Sequence, residues 1–241
     1  MKIYSGPLSM FGAKVEIAAR EKGVTFDLEM VPFNMRTLYD PKHPEVLRIN
    51  PRRQVPVLVD GSLEIFDSTQ IFEYLEDCWP TPALWPRAPD ERARARLLEL
   101  KSDEVYFPHV IRLMGLQATL ADPAAVAACS AAAAFYQEME ALLADREYLA
   151  GSYSYADIAF FMAQLFGARM GAPMTGATPR LLRWRDRMVA RPAVRQGAGA
   201  MAAYLRSQER PLPDFLSALS PPAGPHTTAR VARVNASETC R

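Results

Sequence analysis

The sequence predicts two domains of different class: an α/β domain over residues 1–80, then an all-α domain over 88–215, with a flexible tail from 220 to 241. Three observations carry this. Strand and helix signals alternate through the first eighty residues. A proline-punctuated stretch, Trp79-Pro80-Thr81-Pro82 and Trp85-Pro86, then interrupts them. Beyond it, every apolar repeat has the helical period.

The elements follow in order. Lys2 to Tyr4 reads as a short strand, and a Ser-Gly-Pro-Leu-Ser loop leads to a helix from about Met10 to Lys22 that carries Phe11, Val15, Ile17, Ala18 and Ala19. Gly23 closes it as a left-handed cap. Thr25 to Val31 alternates Phe26, Leu28 and Met30 on one face, as a strand does. Residues 33 to 50 are loop-rich, with a weak helix near Pro44 to Ile49. Val57 to Val59 and Leu63 to Phe66 pair across an Asp60-Gly61 turn. Ser68 to Asp77 is a helix with Ile71, Phe72, Tyr74 and Leu75 inward. In the second domain the period predicts one long helix from Glu91 to Leu120, kinked at Pro108, and an Ala-rich helix from Pro123 to Leu143. A third helix runs from after Gly151 to about Met170, and Pro179 and Pro192 open two more. Residues beyond Leu219 have no apolar period.

Composition narrows the function. Of 241 residues, 49% are hydrophobic and 23% charged, which supports a full core and excludes global disorder. The formal charge is +1 with both signs interspersed, unlike a nucleic-acid footprint. The arginines between Arg180 and Arg195 alternate with Leu, Trp, Met and Val at helical spacing, as a solvated face would. Cys78, Cys129 and Cys240 are odd in number and scattered, which fits a reducing compartment. The first residues run straight into a strand without a signal peptide, and no apolar run approaches membrane length. A cytoplasmic address is expected, so the Asn235-Ala236-Ser237 sequon has no use there.

Two local patterns point to a binding site. Val55-Pro56-Val57-Leu58-Val59 places a proline at the head of a β-branched strand, where it predicts a cis bond and a backbone turned away from the sheet. About ten residues on, Asp67-Ser68 heads an apolar-periodic helix, whose N-terminal N–H groups favour a carboxylate. Together they describe an edge for a small, extended, acidic peptide. A third pattern, Ser154-Tyr155-Ala156-Asp157 ahead of Ile158-Ala159-Phe160-Phe161, is a capping box on a buried helix, expected to be structural and to contribute roughly 1 kcal/mol or more.

This layout resembles a cytosolic glutathione transferase: a thioredoxin-like N-terminal domain, a linker and an all-helical C-terminal domain. The resemblance spans about residues 1 to 210. It is carried by Ser9 ahead of Lys14-Val15, by Asn50-Pro51-Arg52-Arg53-Gln54-Val55-Pro56, by Asp67-Ser68 and by Ser154-Tyr155-Ala156-Asp157. Trp184-Arg185 and Ala190-Arg191-Pro192-Ala193-Val194 also look typical of that family. It implies glutathione as co-substrate, no metal, and a two-fold dimer. Val55 would pair its backbone with the cysteinyl part of glutathione. Pro56 would be the cis proline. Ser68 would bind the γ-glutamyl carboxylate and Asp67 face the amino group. Gln54 and Lys42 would hold the glycine carboxylate, with His43 as the neighbouring alternative.

The resemblance also implies that Ser9 is the catalytic residue of a serine-type member. A thiol with pKa near 8.5 is mostly protonated at neutral pH, and a hydroxyl donating to sulfur at a positive helix end stabilises the thiolate. Ser is equally the residue any helix favours as N-cap; Ser5 and Tyr4 are neighbouring alternatives. Two departures from the family pattern stand out: Met10 where a proline commonly follows, and Arg53 where a glycine is common.

A small hydrophobic electrophile would meet a wall of Met10, Phe11, Tyr106, Phe107, His109, Arg112 and Met114, although aromatics at helical spacing also make ordinary cores. His109 has no partner at metal-ligand spacing. Three functions are compatible: a glutathione transferase, a narrower glutathione-dependent β-aryl ether cleaving enzyme, dehalogenase or isomerase, and a non-enzymatic relative that binds glutathione or a partner protein. Ser in place of Cys at the first helix disfavours a thioredoxin-type redox role.

Overall fold

Apolar residues alternate on the first strands, and that alternation sorts them to two faces of one sheet. A computed structural model describes residues 1–40, 42–217 and 219. Among these, β1 (Lys2–Ser5), β2 (Asp27–Met30), β3 (Val57–Asp60) and β4 (Leu63–Phe66) form a sheet in the order β2-β1-β3-β4. β1 runs parallel to β2, with Ile3 beside Leu28, and antiparallel to β3, with Ile3 beside Leu58. β3 and β4 pair antiparallel from Val57–Phe66 to Asp60–Leu63 around Gly61, whose φ of 60° is the left-handed value the turn requires. β2 is shorter than the predicted 25–31 because its partner β1 has only four residues to pair.

Helices α1 (Met10–Glu21), α2 (Pro44–Ile49) and α3 (Ser68–Cys78) cover the sheet. Ile3 and Leu58 point to one face and pack with Val15, Ala19, Val24, Ile71 and Leu75 from α1, its end and α3. Tyr4 and Val57, one residue over, point to the other face and pack with Val31 and Val46. Of the residues expected inward on α3, Ile71, Phe72 and Leu75 are buried; Tyr74 is half-buried and its hydroxyl donates to Asp60 at 2.8 Å. A lysine ties the ends of this unit together. Lys22 Nζ donates to the carbonyls of Trp79 (2.6 Å) and Pro82 (3.0 Å) and pairs with Glu76 at 2.6 Å, its side chain fully enclosed.

The chain divides into two compact units, the first holding Met1–Ala83 and the second the described residues from Leu84 onward. The second unit is helical. In place of one helix over 91–120, α4 (Pro89–Leu100) passes into a π-helical turn (Lys101–Tyr106), then α5 (Phe107–Arg112) and a 3₁₀ turn (Leu113–Gly115). The reason is Pro108: it supplies no N–H to the preceding turn and its ring crowds the Glu104 carbonyl, and the wider π turn ends just ahead of it. The helix then stops at Gly115, short of the expected Leu120. α6 (Pro123–Leu142), α7 (Tyr155–Arg169), α8 (Pro179–Ala190) and α9 (Pro192–Ser207) each begin at or near the predicted signals, and a short α10 (Asp214–Ser217) follows.

α7 is buried continuously from Tyr155 to Gly167, as its apolar run predicts. Its start is held by Asp157, which accepts from the Ser154 N–H (3.0 Å), the Ser154 hydroxyl (3.1 Å), the Leu149 N–H (2.9 Å) and Trp184 Nε1 (2.9 Å). Burial pushes this carboxyl up to about 6 against the pull of those donors. The expected tail at 220–241, with Cys240 and the Asn235 sequon, lies outside the described residues. Cys78 and Cys129 are not in disulfides, and no described helix is long and apolar enough to cross a membrane.

Candidate functional site

Ser9 is the N-cap of α1. Its backbone is extended (φ −81°, ψ 112°), its N–H donates to the Gly6 carbonyl at 3.0 Å, and its Oγ accepts the Gly12 N–H at 3.0 Å. An N-cap hydroxyl that accepts from the helix keeps its own O–H as a donor. The two alternative hydroxyls sit differently. Ser5, at the end of β1, is fully buried and donates to Glu16 Oε1 at 2.7 Å. Tyr4 is buried in the cluster with Val31, Val46 and Val57, its ring 5.2 Å from that of His43. Both therefore belong to the packing of the strand, and Ser9 stands at the helix mouth with 8% exposure.

The second part of the site is the turn before β3. Asn50 organises it: Nδ2 donates to the Gln54 carbonyl at 2.6 Å, Oδ1 accepts the Arg52 N–H at 2.9 Å, and its carbonyl accepts the Arg53 N–H at 2.8 Å. Arg53 has φ 57°, which explains why a glycine is common there: the left-handed region costs an L-residue about 1–2 kcal/mol. Gln54 is exposed and Val55 half-buried against the Tyr4 cluster. The Val55–Pro56 bond is cis, as the strand-leading proline predicts. β3 begins at Val57, so Val55 precedes the ladder rather than joining it.

The third part is the start of α3. Asp67 is its N-cap, accepting the Thr69 N–H at 3.0 Å and the Gln70 N–H at 3.3 Å, with Ser68 buried as the first helical residue. Asp67 has φ 78°, a conformation that costs on the order of 1–3 kcal/mol and that clusters at ligand sites. Lys42 is half-buried, 3.5 Å from Asp40 and 5.9 Å from the centre of the Tyr39 ring. His43 caps α2, accepting the Glu45 N–H on Nδ1 (3.3 Å) and meeting Glu29 through Nε2 (3.1 Å). Both its nitrogens are engaged.

The expected electrophile wall is divided. In the first unit Met10 is buried at 4% exposure, and Phe11 is half-buried with Lys14 Nζ 5.5 Å from its ring centre. In the second, Tyr106 is placed in the core. Its hydroxyl bonds to that of Tyr136 at 2.5 Å, its ring meets Phe135 and Phe160, and a Cβ on Gly167 would lie 2.1 Å from its oxygen. The Tyr136 hydroxyl donates on to the Ala172 carbonyl at 2.7 Å. Burial raises both phenols well above their ordinary range, which keeps them neutral donors. Phe107 is half-buried with its ring 5.1 Å from Phe166, His109 is half-buried, and Arg112 and Met114 are exposed.

Three residues of the site escape the sequence patterns: Gly12, Glu16 and Tyr39. A Cβ on Gly12 would lie 2.2 Å from Ser5 Oγ, and one on Gly6 would lie 2.4 Å from the Tyr39 ring. A glycine inside a helical pattern is the signal that marks the first of these approaches. Among the described residues no group of three or more His, Cys, Asp or Glu is placed to hold a metal.

Comparison with known proteins agrees with this geometry. The family model for the glutathione S-transferase N-terminal domain matches residues 8–78, and that for the C-terminal domain matches 122–192. A stringent starvation protein A homolog from Coxiella burnetii is 38% identical over 109 residues, 44% of this chain and 48% of that protein. The chain thus spans about half the length of such relatives. Glutathione S-transferase 2 of Saccharomyces cerevisiae is 31% identical over 208 residues, 81% of this chain and 88% of that protein. Among solved structures, β-etherase LigF from Sphingobium sp. strain SYK-6 superposes with a TM-score of 0.68 at 26% identity, covering 81% of this chain and 97% of its own. With the sheet order, the turn before β3 and the capped α3 already in place, these matches assign the chain to the glutathione S-transferase family.

Proposed function

We propose that this protein is a glutathione transferase in which Ser9 stabilises the glutathione thiolate for attack on a small hydrophobic electrophile. The observation that carries the reading is the Ser9 hydroxyl, held by the Gly12 N–H at the positive end of α1 with its own hydrogen left to donate. Sulfur bonded by that hydrogen loses its proton to solvent at lower pH than the free thiol. The thiolate then forms a carbon–sulfur bond, and the leaving group departs with the electron pair of the bond it breaks. Ser9 is a donor throughout and never a nucleophile.

The tripeptide lies extended along the turn before β3. Val55 offers its backbone to the cysteinyl part in the manner of an added strand, beside the cis Pro56. Ser68 takes the γ-glutamyl carboxylate through its hydroxyl and its N–H at the start of α3. Asp67 spends two acceptor positions on its own helix, and a carboxylate has about four, so its charge also serves the glutathione ammonium. Gln54 and Lys42 hold the glycine carboxylate. Met10 and Phe11, from α1, are the side chains proposed to meet the electrophile. The protein acts as a cytoplasmic two-fold dimer in detoxification, a setting that suits Cys78 and Cys129, neither of which is in a disulfide.

The likeness to a β-etherase favours a second reading, in which the same thiolate attacks carbon at an ether and an alkoxide or aryloxide leaves. The likeness to a stringent starvation protein favours a third, a relative that binds glutathione or a partner without turnover. Isothermal titration with glutathione tests the common core of the first two. Saturable binding that Ser68→Ala largely abolishes is expected. No binding at millimolar glutathione moves the assignment to the interaction protein.

A further inference from the structure

We propose that Glu16, acting through Ser5, is a positioning residue for Ser9. The inference rests on the reading of Ser9 as the thiolate's hydrogen-bond donor. A carboxyl group with 4% exposure on the inner side of α1 is costly, and burial drives it toward the neutral acid. Leu or Met would fill the same space without that cost. What the carboxyl does instead is hold Ser5: the Ser5 hydroxyl reaches Glu16 Oε1 at 2.7 Å, eleven residues along the chain.

This bond closes the loop that carries Ser9. Ser5 ends β1, and Glu16 lies one helical turn past Gly12. Between them the Gly6 carbonyl accepts the Ser9 N–H, and Ser9 Oγ accepts the Gly12 N–H. Ser5 Oγ and Ser9 Oγ approach the same helical residue: a Cβ on Gly12 would stand 2.2 Å from the first and 3.1 Å from the second. Gly12 is thus the meeting point, and its missing side chain admits the strand-end hydroxyl against the first turn. With the Ser5–Glu16 bond in place, the start of α1 is fixed to the end of β1, and the direction of the Ser9 hydroxyl is fixed with it. A thiolate donor displaced by a fraction of an ångström loses much of its effect, because hydrogen bonds weaken steeply with misalignment.

The test compares Ser5→Ala, Glu16→Leu, the double variant and Glu16→Gln by thiolate absorbance of the glutathione complex across pH, glutathione titration calorimetry, and turnover at pH 6.5. Gln keeps an acceptor oxygen for Ser5 and is expected to behave as the unaltered protein. Ser5→Ala and Glu16→Leu are expected to raise the bound thiol's pKa by about one unit toward the free value near 8.5. Turnover at pH 6.5 then falls up to about tenfold, while glutathione affinity stays within about threefold. The double variant is expected to be no worse than either single one, since all three lose the same bond. Lower melting temperatures with an unchanged thiol pKa would overturn the inference, as would a Glu16→Gln protein as impaired as Glu16→Leu. Ser5→Ala, which deletes one oxygen, decides the matter if Glu16→Leu does not fold. An unaltered protein that binds glutathione but shows no thiolate would refute the Ser9 reading itself and this inference with it.

Discussion

Asp157→Ala is expected to cost about 3 kcal/mol at pH 7 and about twice that at pH 4. The change strands three fixed donors that have no route to water, the N–H groups of Leu149 and Ser154 and the Trp184 indole. At about 2 kcal/mol for each unsatisfied group, the loss is about 6 kcal/mol. Against this stands the burial of the carboxylate. The native pKa of about 6 lies above the ordinary 3.8, so over that window the folded state holds the proton more tightly than the unfolded chain. The stability this group contributes is therefore complete below about 3.8 and lost as pH rises through about 6. A shift of about two units corresponds to about 3 kcal/mol, which is the relief the variant gains at neutral pH and not at pH 4. Urea unfolding of both proteins at half-unit steps from pH 4 to 7.5 reads the difference directly, because the other titrating groups are common to both. A penalty below about 1 kcal/mol at pH 7, or one that is flat or grows with pH, would refute the reasoning.

Two more outcomes follow from particular contacts. Arg53→Gly is expected to stabilise the protein by about 0.5–1 kcal/mol in urea unfolding, since relief of the left-handed backbone exceeds the entropy glycine adds to the unfolded chain. Lys22→Met removes the ammonium that pairs with Glu76 and binds two carbonyls, leaving a poorly exposed carboxylate behind; a loss of about 3–5 kcal/mol is expected, with part recovered in Lys22→Met/Glu76→Gln.

Much of this fold is legible in the sequence because each signal is local. Gly23 and Gly61 mark backbone that must turn left-handed, Pro56 heads its strand, and Pro123, Pro179 and Pro192 open helices where the missing N–H costs nothing. Pro108 announces a disruption, but a proline does not say whether the helix bends or widens into a π turn. The failures are non-local. Tyr106 has the spacing of a pocket residue, and only the tertiary partners Tyr136, Phe160 and Gly167 make it core. Asp157 reads as a cap from Ser154 alone, yet its bonds to Leu149 and Trp184 span 8 and 27 residues and carry most of its effect. Glu16 is invisible for the same reason: its partner Ser5 lies on a different element, and a charged residue at helical spacing ordinarily faces water.

The central claim is that Ser9 lowers the pKa of bound glutathione. Thiolate difference absorbance of the complex, titrated from pH 5 to 9 for the unaltered protein and for Ser9→Ala, tests it most directly. The account predicts a bound thiol titrating about one to two units below 8.5, returned to near 8.5 by Ser9→Ala with glutathione still bound. Equal titration curves for the two proteins would contradict it.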